Sequence, residues 1–318
     1  MSELYVSVSP HIRSPRTTQT IMRDVLIALC PALIASCIIF GARALLVSAV
    51  CVAASVLFEF LYQKGTKQPV TISDCSAAVT GLILAMNLPV TIPLWQAVFG
   101  CLVAIIVVKQ LFGGLGKNFA NPAIVGRVVL FLAFSGSMTN WVFPDAVSTA
   151  TPLALISKGA LDQLPSLWHA FLGWEGGCLG ETCSLALIAG GIYLIVRKVI
   201  TWRIPTAFIG TVVVLTFVFG HEGYSRADWV MYNVFSGSML LGAFFMANDY
   251  ATSPVTMPGQ LLYGFGCGVL TVLIRYFGSY PEGVSYGILI MNLCTWAIDK
   301  AFCRPQFGVT KEDLAAAK

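Results

Sequence analysis

The stretch Asp145-Ala146-Val147-Ser148-Thr149-Ala150-Thr151-Pro152-Leu153 sets three hydroxyls and one carboxylate among small residues, in a chain that is otherwise mostly apolar. A threonine hydroxyl is a poor nucleophile by itself. It can still be esterified by the phosphate of a cofactor if a transferase can clasp the backbone around it. Small neighbours at Ser148, Thr149 and Ala150 permit that, and Pro152 steers Ala150 and Thr151 away from helix. Asp145 adds an acidic group upstream. By residue types alone, an ordinary polar loop is the favoured reading of these features.

Polar residues inside apolar stretches are the second group of candidates, because they are costly at membrane depth unless they serve something. They are Glu59, Asp74, Asn87, Asn121, Asn248 and Asp249. Asp249 is the best candidate for a cation contact, with Asn248 and Asn87 as further members of an ion path. Asp74 reads as a helix cap, and Asn121-Pro122 as a helix start with proline in the first turn. Glu59 reads as a snorkelling or paired carboxylate. No catalytic set for hydrolysis is visible. His11, His169 and His221 fall at span ends or in loops and do not suggest a metal site. Cys178 and Cys183, in or beside a glycine-rich loop, leave a disulfide open. Gly113-Gly114-Leu115-Gly116-Lys117 lacks the spacing of a phosphate loop and reads as a turn.

The elements that must position these residues follow from composition. Hydrophobic residues make up 57% of the chain and charged residues 11%, with a mean hydropathy of +0.80. Such a chain belongs in a bilayer, where its backbone polar groups must be satisfied internally. No basic run suggests nucleic acid. Measured against a span of about 20 apolar residues, the sequence predicts ten helices. They run near 22–41, 44–63, 73–89, 93–112, 121–136, 180–199, 204–221, 229–248, 259–278 and 285–302. The third and fifth are short. With the N-terminus in the cytoplasm, only Arg43, Lys158, Arg226 and Arg275 of the 19 Lys and Arg residues fall outside, as the positive-inside rule requires. Both termini are then cytoplasmic and residues 137–179 lie on the outer face.

Gly81, Asn87, Pro93 and Gly126 recur 161 residues later as Gly242, Asn248, Pro254 and Gly287. Five helices in each half invert the second repeat relative to the first, a transporter architecture with sites where broken helices meet. The expected organisation is a five-helix repeat over 1–136, an extracytoplasmic loop over 137–179, and a second five-helix repeat over 180–318.

Ser148-Thr149-Ala150-Thr151 resembles the Ser/Thr-Gly-Ala-Thr flavinylation motif of the Rnf and Na⁺-translocating NADH:quinone reductase complexes, with Thr149 standing where the motif usually has glycine. Ser9-Pro-His-Ile-Arg-Ser14, Asn118-Phe-Ala-Asn-Pro-Ala123 and Phe245-Met-Ala-Asn-Asp-Tyr-Ala-Thr-Ser-Pro-Val-Thr256 are similar to segments of the D subunits of Rnf complexes, and the short lead before the first span favours those over the quinone reductase. The resemblance implies an all-α membrane fold like that of urea transporters. It implies FMN joined to Thr151 by a phosphoester, with Ser148 and Asp145 in the attachment motif, and a noncovalent riboflavin in the bundle. It implies partners A, B, C, E and G, with G as redox neighbour, a flavin transferase for maturation, and a bacterial or archaeal cytoplasmic membrane. The implied activity is electron transfer between reduced ferredoxin and NAD⁺ coupled to Na⁺ or H⁺ translocation. A channel or secondary transporter without a redox cofactor on the same scaffold, or a structural anchor, are the competing readings.

Overall fold

The computed structural model describes residues 16–141, 151–157, 164, 166–173, 176–181, 183–220, 225–278 and 282–302. Asp145 and Ser148 lie outside them. Helices occupy each of the ten predicted stretches, and no strand occurs among the described residues. The order is α1 (Thr18–Phe40), α2 (Ala42–Gly65), α3 (Ser76–Met86), α4 (Leu94–Leu102, running on as a π-helix over Val103–Gln110), α5 (Pro122–Ala133) and α6 (Ser135–Met138). Short α7 (Pro152–Ser157) and α8 (Leu167–Leu172) follow. Then come α9 (Ser184–Val196), α10 (Arg203–Phe219), α11 (Arg226–Phe235), α12 (Met239–Leu241, running on as a π-helical turn over Gly242–Met246), α13 (Met257–Phe277) and α14 (Val284–Ala301).

The expectation of ten full-length spans is only partly met. Among the described residues, α1, α2 and α13 are long and apolar enough to cross a membrane alone. The segments α11 and α12 reach that length only as a pair bent by 63°, and α3 has 11 residues. At 1.5 Å per residue α3 covers about 16 Å, roughly half of a hydrocarbon core. These broken helices are where the polar residues collect.

Local chemistry sets the ends. Thr17 and Thr20 form a reciprocal capping box at the start of α1. Gly41, at φ +72, turns the chain from α1 straight into α2. Asn121 Oδ1 accepts from Ala123 N at 3.0 Å with Pro122 in the first turn of α5, as the sequence indicated. Asp74 Oδ1 accepts from both Ser76 N and Ser76 Oγ ahead of α3, at 2.8 and 2.7 Å.

The two halves match element by element. Shifting α1 to α5 by 161 residues lays them over α9, α10, α12, α13 and α14. Packing repeats as well, since α2 lies on α4 as α10 lies on α13, and α4 on α5 as α13 on α14. The repeat mates α1 and α9 pack against each other, as do α5 and α14, so the two halves meet along equivalent elements. A methyl added to Gly126 of α5 would stand 2.9 Å from Gly100 O in α4; one on its mate Gly287 of α14 would stand 3.0 Å from Thr271 Oγ1 in α13. Both glycines let the same pair of helices approach closely.

Candidate functional site

Among the described residues, the side chain that gathers most polar partners is Arg127, in the second turn of α5. It is only 4% exposed. Its Nη1 donates to Asn87 Oδ1 (2.9 Å), Ser238 Oγ (2.7 Å) and Ser285 Oγ (2.8 Å). Its Nη2 contacts Glu181 Oε1 and Cys178 Sγ, each at 3.5 Å, and forms an ion pair with Glu282. Asn87 ends α3, Ser238 precedes α12, Ser285 begins α14, and Glu282 lies in the connection before it. One guanidinium therefore ties together the broken helices of both repeats.

The segment 176–181 closes around this cation. Gly180 N donates to Met86 O at 2.7 Å and Leu179 N to Leu88 O at 3.0 Å. These bonds satisfy carbonyls that the early end of α3 would leave bare. The Cys178 thiol donates to Asn87 O (3.2 Å), and Cys178 N donates to Glu181 Oε2 (3.2 Å). Cys178 and Cys183 are both free thiols. Arg275 braces the same end from α13, donating to Glu282 O at 3.1 Å and to the carbonyls of Asn233 and Ser236. Burial pushes the Glu282 carboxyl up to about 7, against the pull of the Arg127 guanidinium.

The opposite end of α3 has a different character. Lys109, 2% exposed in the π-helical part of α4, pairs with Glu59 of α2 at 2.8 Å and donates to Ser76 Oγ at 2.6 Å. Gln110 Nε2 donates to the same Glu59 oxygen at 2.6 Å. Of the two readings the sequence left for Glu59, snorkelling or paired, it takes the second, at 1% exposure. Beside this pair opens a cavity of about 90 Å³, lined at its polar end by Asn118, Asn121, Asn248 and Asp249 and elsewhere by residues such as Phe244 and Phe245. Asp249 Oδ2 accepts from Thr252 Oγ1 (3.0 Å) and Asn118 Nδ2 (3.3 Å). Burial raises its carboxyl above the ordinary range, and those two bonds oppose the rise.

The three ion-path candidates are thus not brought together. Asn248 and Asp249 line the cavity, whereas Asn87 belongs to the Arg127 cluster. The repeat mates Asn87 and Asn248 do share one role. Each amide donates back to the carbonyl four residues earlier, Ile83 at 2.7 Å and Phe244 at 3.3 Å, closing the end of its half-helix.

Thr151 immediately precedes α7, and its carbonyl accepts from Leu155 N at 2.9 Å. Its side chain is buried, with 7% exposure, where the sequence pattern led us to expect an accessible hydroxyl. Leu153 explains the docking. A methyl built on Gly237, at φ +74, would stand 2.5 Å from Leu153 Cδ1, so Leu153 packs into the space beside this glycine. Gly237 is the residue before Ser238, a partner of Arg127.

A bent, polar crossing between two repeated halves, with the motif-bearing threonine docked at one end, is consistent with the resemblance seen in the sequence. Comparison with known families bears that resemblance out. Residues 5–308 match the model of the NQR2, RnfD, RnfE family. The chain belongs to that family. Among curated members, it is 46% identical over 313 residues to the D subunit of the Na⁺-translocating ferredoxin:NAD⁺ oxidoreductase complex of Acetobacterium woodii, covering 97% of this chain and 96% of the relative. It is 41% identical to the proton-translocating counterpart of Clostridium ljungdahlii, covering 96% of each. Identity to the D subunit of the ion-translocating oxidoreductase complex of Halorhodospira halophila is 36%, over 98% of this chain and 97% of the relative. This member of the family is a helical integral membrane protein.

Sequence reasoning missed Arg127, Glu181 and Glu282. It placed Arg127 with the flanking cytoplasmic charges, whereas the structure encloses it in the bundle. One available clue was its position inside the short fifth span, where an arginine has to find buried partners.

Proposed function

We propose that this chain is the membrane flavin subunit of a redox-driven ion pump, which couples electron transfer between reduced ferredoxin and NAD⁺ to Na⁺ or H⁺ translocation. FMN is held by a phosphoester to Thr151 and serves as an electron carrier. The observation that carries this reading is 46% identity, over nearly the whole of both chains, to a relative named for that activity. The protein acts within its complex and not alone. Subunits A, B, C, E and G are its partners, with G the redox neighbour on the same face.

The residues present suit the cofactor. FMN supplies one- and two-electron chemistry, and the protein supplies its position. Leu153, two residues on from Thr151, packs beside Gly237. Because the Thr151 side chain is buried, a transferase reaches it with this segment undocked or before the bundle closes. At the other end, the amides and carboxyl of Asn118, Asn121 and Asp249 against Phe244 and Phe245 suit the polar edge and the face of a noncovalent riboflavin ring. These groups line a cavity of about 90 Å³. In this reading both termini are cytoplasmic and Thr151 lies on the outer face.

Mass spectrometry of the peptide containing Thr151, from complex matured with its flavin transferase, tests the linkage. The expected peptide carries FMN less one water. In-gel flavin fluorescence of this protein after denaturation is expected to vanish in Thr151→Ala. An unmodified peptide from active complex, or a Thr151→Ala band as bright as wild type, overturns the assignment.

A further inference from the structure

The geometry points to Arg127 as a latch that holds the Thr151 end of the crossing shut, and to Leu153, Gly237 and Ser238 as the link through which the attached cofactor acts on it. The cofactor half of this inference rests on the flavin reading above; the latch half does not.

The two ends of the crossing are built from the same repeat, yet only one carries a guanidinium cluster. The residues 161 positions away from Arg127, Ser238, Ser285 and Glu282 are Ile288, Ala77, Ile124 and Asn121. None of the four is charged. At the Arg127 end a guanidinium draws in α3, α12, α14, the connection before α14 and the segment 176–181, all at hydrogen-bonding distance. At the other end, Asn118, Asn121, Asn248 and Asp249 line a cavity of about 90 Å³. A path through this bundle would meet the cavity at the Asp249 end and the Arg127 cluster at the other. To pass it, those five partners must part from one cation. A buried cation held by two carboxylates and three neutral oxygens gives two distinct arrangements, paired or released, since a half-paired charge in the interior is strongly unfavourable.

The link to the cofactor is covalent and steric. Leu153 is two residues from Thr151, and its methyl fills the space that the missing side chain of Gly237 leaves. Ser238 follows Gly237, and its hydroxyl oxygen accepts from Arg127 Nη1. A shift of the Thr151 segment as its cofactor changes charge is thus delivered to one of the five oxygens that hold the latch. Close-packed contacts of this kind transmit strain.

Cys178 is a native reporter, because its thiol is fully buried and lies 3.5 Å from Arg127 Nη2. The experiment treats the assembled complex in membranes with a membrane-impermeant maleimide and follows alkylation of the Cys178 peptide by mass spectrometry. Wild type is expected to label slowly at rest and faster while reduced ferredoxin and NAD⁺ drive electron flow. Arg127→Gln and Glu282→Gln are expected to label at rest roughly tenfold faster or more, the effect of weakening a buried ion pair. Arg127→Lys, which keeps the charge but loses the fork of donors, falls between them. If Arg127→Gln fails to assemble, Glu282→Gln alone carries the test. Leu153→Ala keeps the Thr151 hydroxyl and its fluorescence, and is expected to stay slow at rest while losing the response to electron flow. Resting rates equal to wild type in Glu282→Gln overturn the latch. A response that persists in a Thr151→Ala complex lacking fluorescence overturns the coupling but leaves the flavin assignment standing. Undiminished fluorescence in Thr151→Ala overturns the flavin assignment, while the resting rates still judge the latch.

Discussion

Lys109 shows how individual residues support this fold. A lysine 2% exposed beside a glutamate 1% exposed is tolerable only as a pair, to which Ser76 and Gln110 each add a hydrogen bond. Removing one partner leaves a buried charge alone, which costs about 3–5 kcal/mol, whereas replacing both with apolar groups is often neutral. Lys109→Met is therefore expected to lower the thermal midpoint of the detergent-solubilised complex markedly. The double variant Lys109→Met/Glu59→Leu is expected to recover most of that loss. A double variant no better than the single one would show that the pair has a role beyond charge balance.

At the scale of elements, the bundle depends on small residues where helices cross. The α1–α9 contact brings the two halves together, and a methyl on Gly190 of α9 would stand 2.2 Å from Ala28 O of α1. That neighbour is backbone and cannot swing aside. Overpacking of this kind costs about 1–3 kcal/mol, so Gly190→Val is expected to separate α1 from α9. Size-exclusion profiles and the yield of extracted protein would show it. Gly210 of α10, with no atom within 4 Å of an added methyl, provides the control: Gly210→Ala is expected to behave as wild type. The pair Gly264 and Gly268 makes the same kind of close approach between α13 and α10, at 2.8 Å from Ala207 Cβ and 2.6 Å from Thr211 Cβ.

For the molecule as a whole, neither half is complete. Arg127 and Asn87 come from the first repeat, while Glu181, Ser238, Glu282 and Ser285 come from the second. The first half alone would hold a buried arginine without carboxylates; the second would hold two carboxylates without Arg127. Chains covering 1–141 and 142–318 are accordingly expected to accumulate in membranes only when co-expressed, and then to co-purify. Stable accumulation of the first half by itself, resistant to protease, would contradict this picture.

Much of this was determined by the sequence alone. Composition places the chain in a bilayer, since 11% charged residues cannot cover it in water. Ten apolar stretches, the cap at Asn121 and the motif ending at Thr151 are all local patterns. Local patterns survive whatever the helices later pack against. Which stretches cross whole and which break was decided by tertiary structure, because the end of α3 and the start of α12 are both tied to Arg127 of α5. So were the partners of Arg127, which lie between 40 and 158 residues away along the chain. Hydropathy sums neighbours in sequence. The stability of a buried charge depends on neighbours in space, and only the crossing of two repeated halves brings those together.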